Sequence, residues 1–386
     1  MPAPARDYGF YREVFRGRPM PFAFVDLDLF DENAAAIARR AGGKSIRVAS
    51  KSVRCTALLR RILEGSAATS PAHAGVMCYA AAEAVHLARQ GFDDLLVAYP
   101  IWDEASVGEV CREVRDGRRI TLMVDCPEHV DHLGAIARRH EVTLPVCLDL
   151  DMSSDYPGLH FGVRRSPVST AEQAVSLAER ITAEPHLRLE GLMGYEAQIA
   201  GVPDDGPGLR NRLVRWLKHR SAAEVARRRH AVVRALAAHA HPLRFVNGGG
   251  TGSLETTREE LVVTEVTAGS GFYSPGLFDG YRSFRHLPAA GFAVEITRRP
   301  GPGLFTCLGG GYVASGGAGR DKLPVPYLRP ERGCCRWKGP EKSRHRSPTT
   351  APSGSRWVIP SSCDMPKPAS CASGSRRCCS SPATGW

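Results

Sequence analysis

Lys51 is the residue in this chain best suited to covalent chemistry. It follows the alternating segment Ser45-Ile46-Arg47-Val48-Ala49-Ser50, and its amine can form an imine with an aldehyde. Far downstream lie two glycine-rich turns, Asn247–Ser253 and Ala268–Tyr273. Consecutive backbone N–H groups ahead of a helix favour a doubly charged phosphate. Gly249, Gly250, Thr251, Gly252, Gly269 and Ser270 are the candidate phosphate holders, and the Tyr273 hydroxyl is a further one. A lysine with two such turns suits a phosphorylated aldehyde cofactor.

Other polar residues fall at strand ends. Tyr195, in Gly194-Tyr195-Glu196-Ala197-Gln198, is read either as a cofactor contact or as an aromatic on a barrel rim. Asp149 and Asp151 precede His160 and Arg164 in Leu159-His160-Phe161-Gly162-Val163-Arg164. A cation there pairs with a cofactor phenolate or a substrate carboxylate, or makes an ordinary surface salt link. Each glycine turn also reads as a plain tight loop.

These residues must be positioned by a repeating strand–turn–helix pattern that runs from Phe22 to about Tyr273. Strands are expected at Ser45–Ser50, Gly75–Tyr79, Leu95–Tyr99, Ile120–Val124, Pro145–Asp149, Leu189–Tyr195, Arg244–Asn247 and Glu265–Thr267. Amphipathic helices are expected at Glu32–Arg40, Thr56–Glu64, Ala81–Gln90, Glu104–Arg115, Pro127–Arg139, Thr170–Ile181 and Ser221–Ala238. This order predicts an α/β fold, a (β/α)8 TIM barrel, with a doubly wound sheet as the alternative. Lys51 then sits at the C-terminal end of a barrel strand, and the glycine turns follow the seventh and eighth strands, where barrels bind phosphate. After Gly276 short strands at Phe292–Thr297 and Leu304–Leu308, then Gly309-Gly310-Gly311-Tyr312, predict an incomplete C-terminal β-domain.

Charge and cysteine content set the last residues apart. The net charge of +11 is concentrated in residues 331–386, which hold ten Lys/Arg against three Asp/Glu. The preceding residues carry 41 basic and 37 acidic groups, so nucleic-acid binding is rejected. Six cysteines are scattered, as in a reducing compartment, whereas Cys334, Cys335, Cys363, Cys371, Cys378 and Cys379 crowd the tail. The tail has no Leu, Phe or Tyr but holds Trp337, Trp357 and Trp386, a composition that builds no core. A basic extension and a metal-binding tail are two readings of it. A third is translation out of frame. GC-rich codons for Trp357–Ser375, read from the third base, encode GDPVFLRHAEAGELCERF, a string that contains a histidine. The breakpoint is expected near Pro326–Arg332. No run of 18 apolar residues predicts a membrane span and no apolar signal segment is seen, so a cytoplasmic protein is expected.

From Phe22 to Tyr327 the chain resembles the fold-type III pyridoxal phosphate proteins, with alanine racemase N-terminal-like barrels. Within them it is most similar to the D-threonine aldolase-like amino acid deaminase/aldolase group. The resemblance is carried by the strand-Lys51 segment, Asp149–Val163, Gly194-Tyr195, Gly248–Ser253 and Gly269–Tyr273. It implies Lys51 as the imine lysine, Gly250-Thr251-Gly252 as phosphate clamp, Tyr273 as a further cofactor contact, and a homodimer. Three departures stand out. Ser52-Val53-Arg54-Cys55 follows the lysine where those aldolases carry a histidine. His160 occupies the place of a racemase arginine. The C-terminal divalent-metal ligands of the aldolases are not encoded, so no metal residue is assigned.

The resulting division is an N-terminal extension (1–21), a pyridoxal phosphate-binding barrel (22–275), a partial β-domain (276–330) and an out-of-frame, disordered tail (331–386). The expected function is retro-aldol cleavage of a small β-hydroxy-D-amino acid. A racemase or deaminase on the same scaffold, a non-catalytic cofactor carrier and an inactive frameshifted product are the alternatives.

Overall fold

A computed structural model describes residues 6–65, 73–301, 304–308, 325–328 and 356–358. Gly309–Tyr312 and most of the 331–386 tail lie outside the described residues. Two compact units divide the chain: Asp28–Ser274 with Phe278–Leu287, and Met1–Leu27 with Pro275–Leu277 and Pro288–Trp386. Strand β1 (Phe22–Val25) belongs to the second unit.

The first unit is a closed parallel barrel. Its strands are β2 (Ser45–Ala49), β3 (His73–Cys78), β4 (Leu95–Val97), β5 (Ile120–Val124) and β6 (Leu144–Asp149). A hairpin of β7 (Ser154–Tyr156) and β8 (Leu159–Phe161) intervenes. Then come β9 (Leu187–Gly194), β10 (Phe245–Gly248) and β11 (Glu265–Ala268), and β11 pairs with β2 to close the ring. Closure excludes the doubly wound alternative. Each expected barrel strand is present to within two residues at either end. The strands read as apolar runs because both faces are covered: all five residues of β5 and all six of β6 are buried. Leu96, Ala98, Met123, Cys147, Met193 and Phe245 fill the interior. The fully buried Arg47 is matched by Glu265 at 2.7 Å and Asp94 at 3.3 Å, as a buried charge requires.

Local rules set the helix starts. Asp103 caps Glu104–Arg115 by accepting from the Ser106 amide at 2.8 Å. Thr170 and Gln173 form a capping box before Ala171–Ala183. One helix is longer than its sequence signal: Leu209–Ala238 spans 30 residues, where only Ser221–Ala238 shows an apolar stripe. Its first turns leave Leu209, Leu213 and Trp216 exposed, so no buried face marks them in the sequence.

In the second unit β1 pairs antiparallel with β12 (Ala290–Ala293), so Phe22–Val25 is not part of the barrel sheet. β13 (Glu295–Gly301) pairs with β14 (Leu304–Leu308). The single strand expected at Phe292–Thr297 is thus two, because the pairing partner changes at Val294. β15 (Val325–Leu328) and β16 (Arg356–Val358) complete a sheet of order β1-β12-β16-β15. Tyr11 and Phe15, from the Tyr8–Val14 helix and its C-cap, pack with Phe22 and Phe24 around Ala293. Among the described residues no helix is long and apolar enough to cross a membrane.

Candidate active site

Lys51 lies in a single helical turn, Ser50–Val53, directly after β2. Side chains pin that turn. Ser50 Oγ donates to Met77 O at 2.9 Å, Arg54 Nε to Lys51 O at 2.9 Å, and Tyr273 Oη to Val53 O at 2.5 Å. With its backbone fixed, Lys51 directs Nζ to within 3.4 Å of Tyr99 Oη, just past the end of β4.

Tyr99 also faces a guanidinium. Arg165 stands 5.0 Å from the Tyr99 ring centroid, donates to Ala98 O at 2.9 Å and meets Asp149 Oδ2 at 3.3 Å. Its own amide donates to Asp151 Oδ2 at 2.8 Å, which sets where the side chain starts. Burial pushes the Tyr99 hydroxyl up, but the Lys51 and Arg165 charges outweigh it and leave the phenol below its usual value. Burial pushes Asp149 up to about 7, against the pull of Arg165 and with repulsion from Asp125 and Asp151. Asp149 Oδ1 and Arg165 Nε are buried without a hydrogen-bond partner among the described residues, so the pocket has polar capacity to spare.

The first glycine turn is built by close packing. Gly249 adopts φ +80°, a conformation that favours glycine. A Cβ on Gly252 would lie 2.2 Å from Ala200 O, and one on Gly250 3.1 Å from the Tyr195 ring. Behind the turn, Ser253 Oγ donates to Glu196 Oε1 at 2.9 Å and receives the Gly250 amide at 3.1 Å. The Glu196 carboxylate is held in turn by the buried Arg229 at 2.9 Å. Among the described residues the Thr251 and Gly252 amides donate to no protein acceptor. Burial pushes the Tyr195 hydroxyl up to about 12, so it stays protonated.

The second turn joins the first to the lysine. The Gly271 amide donates to Thr251 Oγ1 at 3.2 Å. A Cβ on Gly269 would lie 2.9 Å from Ala49 Cβ and from Ser52 Oγ, on either side of Lys51. Ser270 opens the 3-10 turn Ser270–Phe272. Tyr273 spends its hydroxyl on the lysine turn, so it positions Lys51.

The contacts close a circuit around the barrel mouth: Lys51, Tyr99, Arg165, Tyr195 (6.0 Å from the Arg165 guanidinium), Gly250, Thr251, Gly271, Gly269 and back to Ser52. His160 is engaged elsewhere. Its Nδ1 pairs with Asp155 at 2.7 Å on the β7–β8 hairpin, and exposed Arg164 also approaches Asp155 at 3.7 Å. The adjacent Arg165 is the cation that enters the circuit. Sequence reasoning missed Tyr99, Arg165, Glu196 and Ser253 as site residues; Tyr99, Glu196 and Ser253 follow barrel strands within five residues, whereas Arg165 follows the β7–β8 hairpin and carries no such signal.

The family model for the alanine racemase N-terminal domain matches residues 25–275. A 3-hydroxy-D-aspartate aldolase of Paracoccus denitrificans is 27% identical over 250 residues, 65% of this chain and 59% of that protein. The chain thus spans about three-fifths of the length of the curated relatives it matches. The fold is similar to that of D-threonine aldolase from Filomicrobium marinum, with TM-score 0.63 and 20% identity over 73% of this chain and 70% of the other. It is also similar to D-threo-3-hydroxyaspartate dehydratase from Delftia sp. HT23, with TM-score 0.52 and 20% identity over 68% and 63% of the two chains.

Proposed function

Because the chain belongs to the alanine racemase N-terminal domain family, we propose that it is a pyridoxal phosphate-dependent lyase that cleaves the Cα–Cβ bond of a small β-hydroxy-D-amino acid. The observation that carries this reading is the closed circuit from Lys51 through Tyr99, Arg165 and Tyr195 to the two glycine turns. The aldolase similarity supports the reaction class.

The residues fit the cofactor. Lys51 would supply the amine for the aldehyde, and the Thr251 and Gly252 amides, which have no acceptor among the described residues, would supply donors for the phosphate. Arg165 Nε, without a hydrogen-bond partner among the described residues, would supply a cation for the phenolate. When bound, pyridoxal phosphate supplies the electron sink for the carbanion left by bond cleavage. The protein's own groups supply position and protons. Tyr99 Oη, acidified by two cations and 3.4 Å from Lys51 Nζ, exchanges a proton with that amine. Arg165 fixes Tyr99 from one side and takes its own orientation from Asp149 and Asp151. Glu196, through Ser253, holds the phosphate turn rigid.

Finer points belong to the same proposal: a homodimer in the cytoplasm, and a frame change near Pro326–Arg332 that places residues 331–386 out of frame. Arg356–Val358 is the only described strand in that tail.

Two experiments test the function. Lys51→Ala should abolish the visible absorbance of bound cofactor and its trapping by borohydride; a surviving band overturns the lysine assignment. Incubation with D-threonine and 3-hydroxy-D-aspartate should release glycine and an aldehyde. A 2-oxo acid without glycine makes the protein a dehydratase or deaminase instead.

A further inference from the structure

A second cluster of reactive side chains lies at the end of β5, outside the circuit. Asp125 leaves the strand, and Cys126 occupies the N-cap of the Pro127–Arg139 helix with φ −147° and ψ 162°. Pro127 fixes the first helical residue. His129 falls at the third helical position, whose side chain reaches back over the N-cap. One ligand atom from each of Asp125, Cys126 and His129 therefore lies within 4.8 Å of the others. His129 Nδ1 stands 2.8 Å from Asp125 Oδ1 and 3.4 Å from the Asp125 amide nitrogen. Asp125 and His129 are 7% and 8% exposed, so water screens the pair weakly. Trp102 covers it, its ring 4.9 Å from the His129 ring.

The surroundings favour a positive ion. Asp125, Asp149 and Asp151, at the ends of β5 and β6, are all buried. Arg165 pairs with Asp149 at 3.3 Å and Arg228 reaches Asp151 at 4.0 Å. Asp125 has only His129 among the described ion pairs. Its charge is one reason that Asp149 holds its proton to about 7.

We infer that Asp125, Cys126 and His129 form a site for one thiophilic divalent cation of the zinc class, with the remaining coordination left to water. Metal–ligand bonds of about 2.0–2.3 Å in tetrahedral geometry are reached by small side-chain rotations from the observed spread. Carboxylate, thiolate and neutral imidazole leave the site uncharged around a dication, and binding releases the thiol proton. Magnesium and calcium, which select oxygen ligands, fit poorly. These are barrel residues, separate from the C-terminal ligands that the family resemblance implies, and the inference does not depend on the reaction proposed above.

The test uses the full chain, stripped with chelator and titrated with Co²⁺. The six tail cysteines also offer thiolates, so the reading is the difference between wild type and Cys126→Ser. Serine keeps a good N-cap and the fold with it. Wild type should bind one equivalent more than Cys126→Ser, with a thiolate-to-cobalt absorption band in the difference and with quenching of Trp102. Cys126→Ser should lose that band and bind at least about 10-fold more weakly; His129→Gln should do the same. Trp102→Phe should remove the quenching and keep the band. An unchanged band and affinity in Cys126→Ser, or no quenching traceable to Trp102, overturns the site.

Discussion

Lys51 Nζ and Tyr99 Oη lie 3.4 Å apart, and Arg165 stands 5.0 Å from the same phenol ring. Two cations thus converge on one hydroxyl at the barrel mouth. Their charges hold the phenol below its usual value despite its burial.

Tyr99→Phe should therefore lower kcat by about 100-fold, a usual loss for one proton-transfer group, while cofactor loading stays nearly unchanged. The limb of the pH–rate profile that belongs to the phenol should vanish. A phenylalanine variant with the wild-type rate and profile removes Tyr99 from the mechanism.

Arg165 reaches both Ala98 O and Asp149 Oδ2 through Nη2 and lays its guanidinium 5.0 Å from the Tyr99 ring centroid, so Arg165→Lys is not a conservative change. It should weaken cofactor binding and shift the absorbance of the bound form. Asp149→Asn should change the pH dependence of stability. The folded-state value of Asp149 is raised to about 7, so its contribution is full at low pH and is lost as pH rises toward neutrality. Denaturant titrations across that range should show a smaller decline in the asparagine variant.

His73 and His286 act with the opposite sign. Burial lowers both to about 4, aided for His286 by the Arg40 charge. Each contributes stability above the ordinary histidine range that is lost as pH falls toward 4, by at most about 3 kcal/mol per residue. His286→Gln should flatten that acid limb in thermal melts.

The glycine turn tolerates no added carbon. Gly252→Ala would place Cβ 2.2 Å from Ala200 O and should cost about 1–3 kcal/mol as overpacking. Gly249→Ala, forced to keep φ +80°, should cost about 1–2 kcal/mol. Both should raise the Kd for pyridoxal phosphate more than that for the dephosphorylated aldehyde. An equal change for the two ligands argues that the turn does not hold the phosphate.

Resequencing the codons from Leu323 to Arg336 should reveal an inserted or missing base. A confirmed frame would make the tail a genuine part of the chain.

The order and type of the barrel elements were legible in the sequence, because the strands are short apolar or alternating runs and most helices carry a 3.6-residue stripe. Lys51 and the glycine turns stood out in the sequence as candidates, since a strand-end lysine and N–H-rich turns are local signals. The identity of the facing partners was not. Arg164 and Arg165 are neighbours in sequence, yet Arg164 points to the hairpin's Asp155 while Arg165 enters the barrel mouth. One residue of register decides which side chain faces in, and that register is set by the Asp151 carboxylate accepting the Arg165 amide. The contacts of Tyr99, Glu196 and Ser253 likewise come from the tertiary structure. Only closure of β11 onto β2 brings residues 51, 99, 165, 195, 250 and 269 to one rim, because ring closure converts positions far apart in the chain into neighbours.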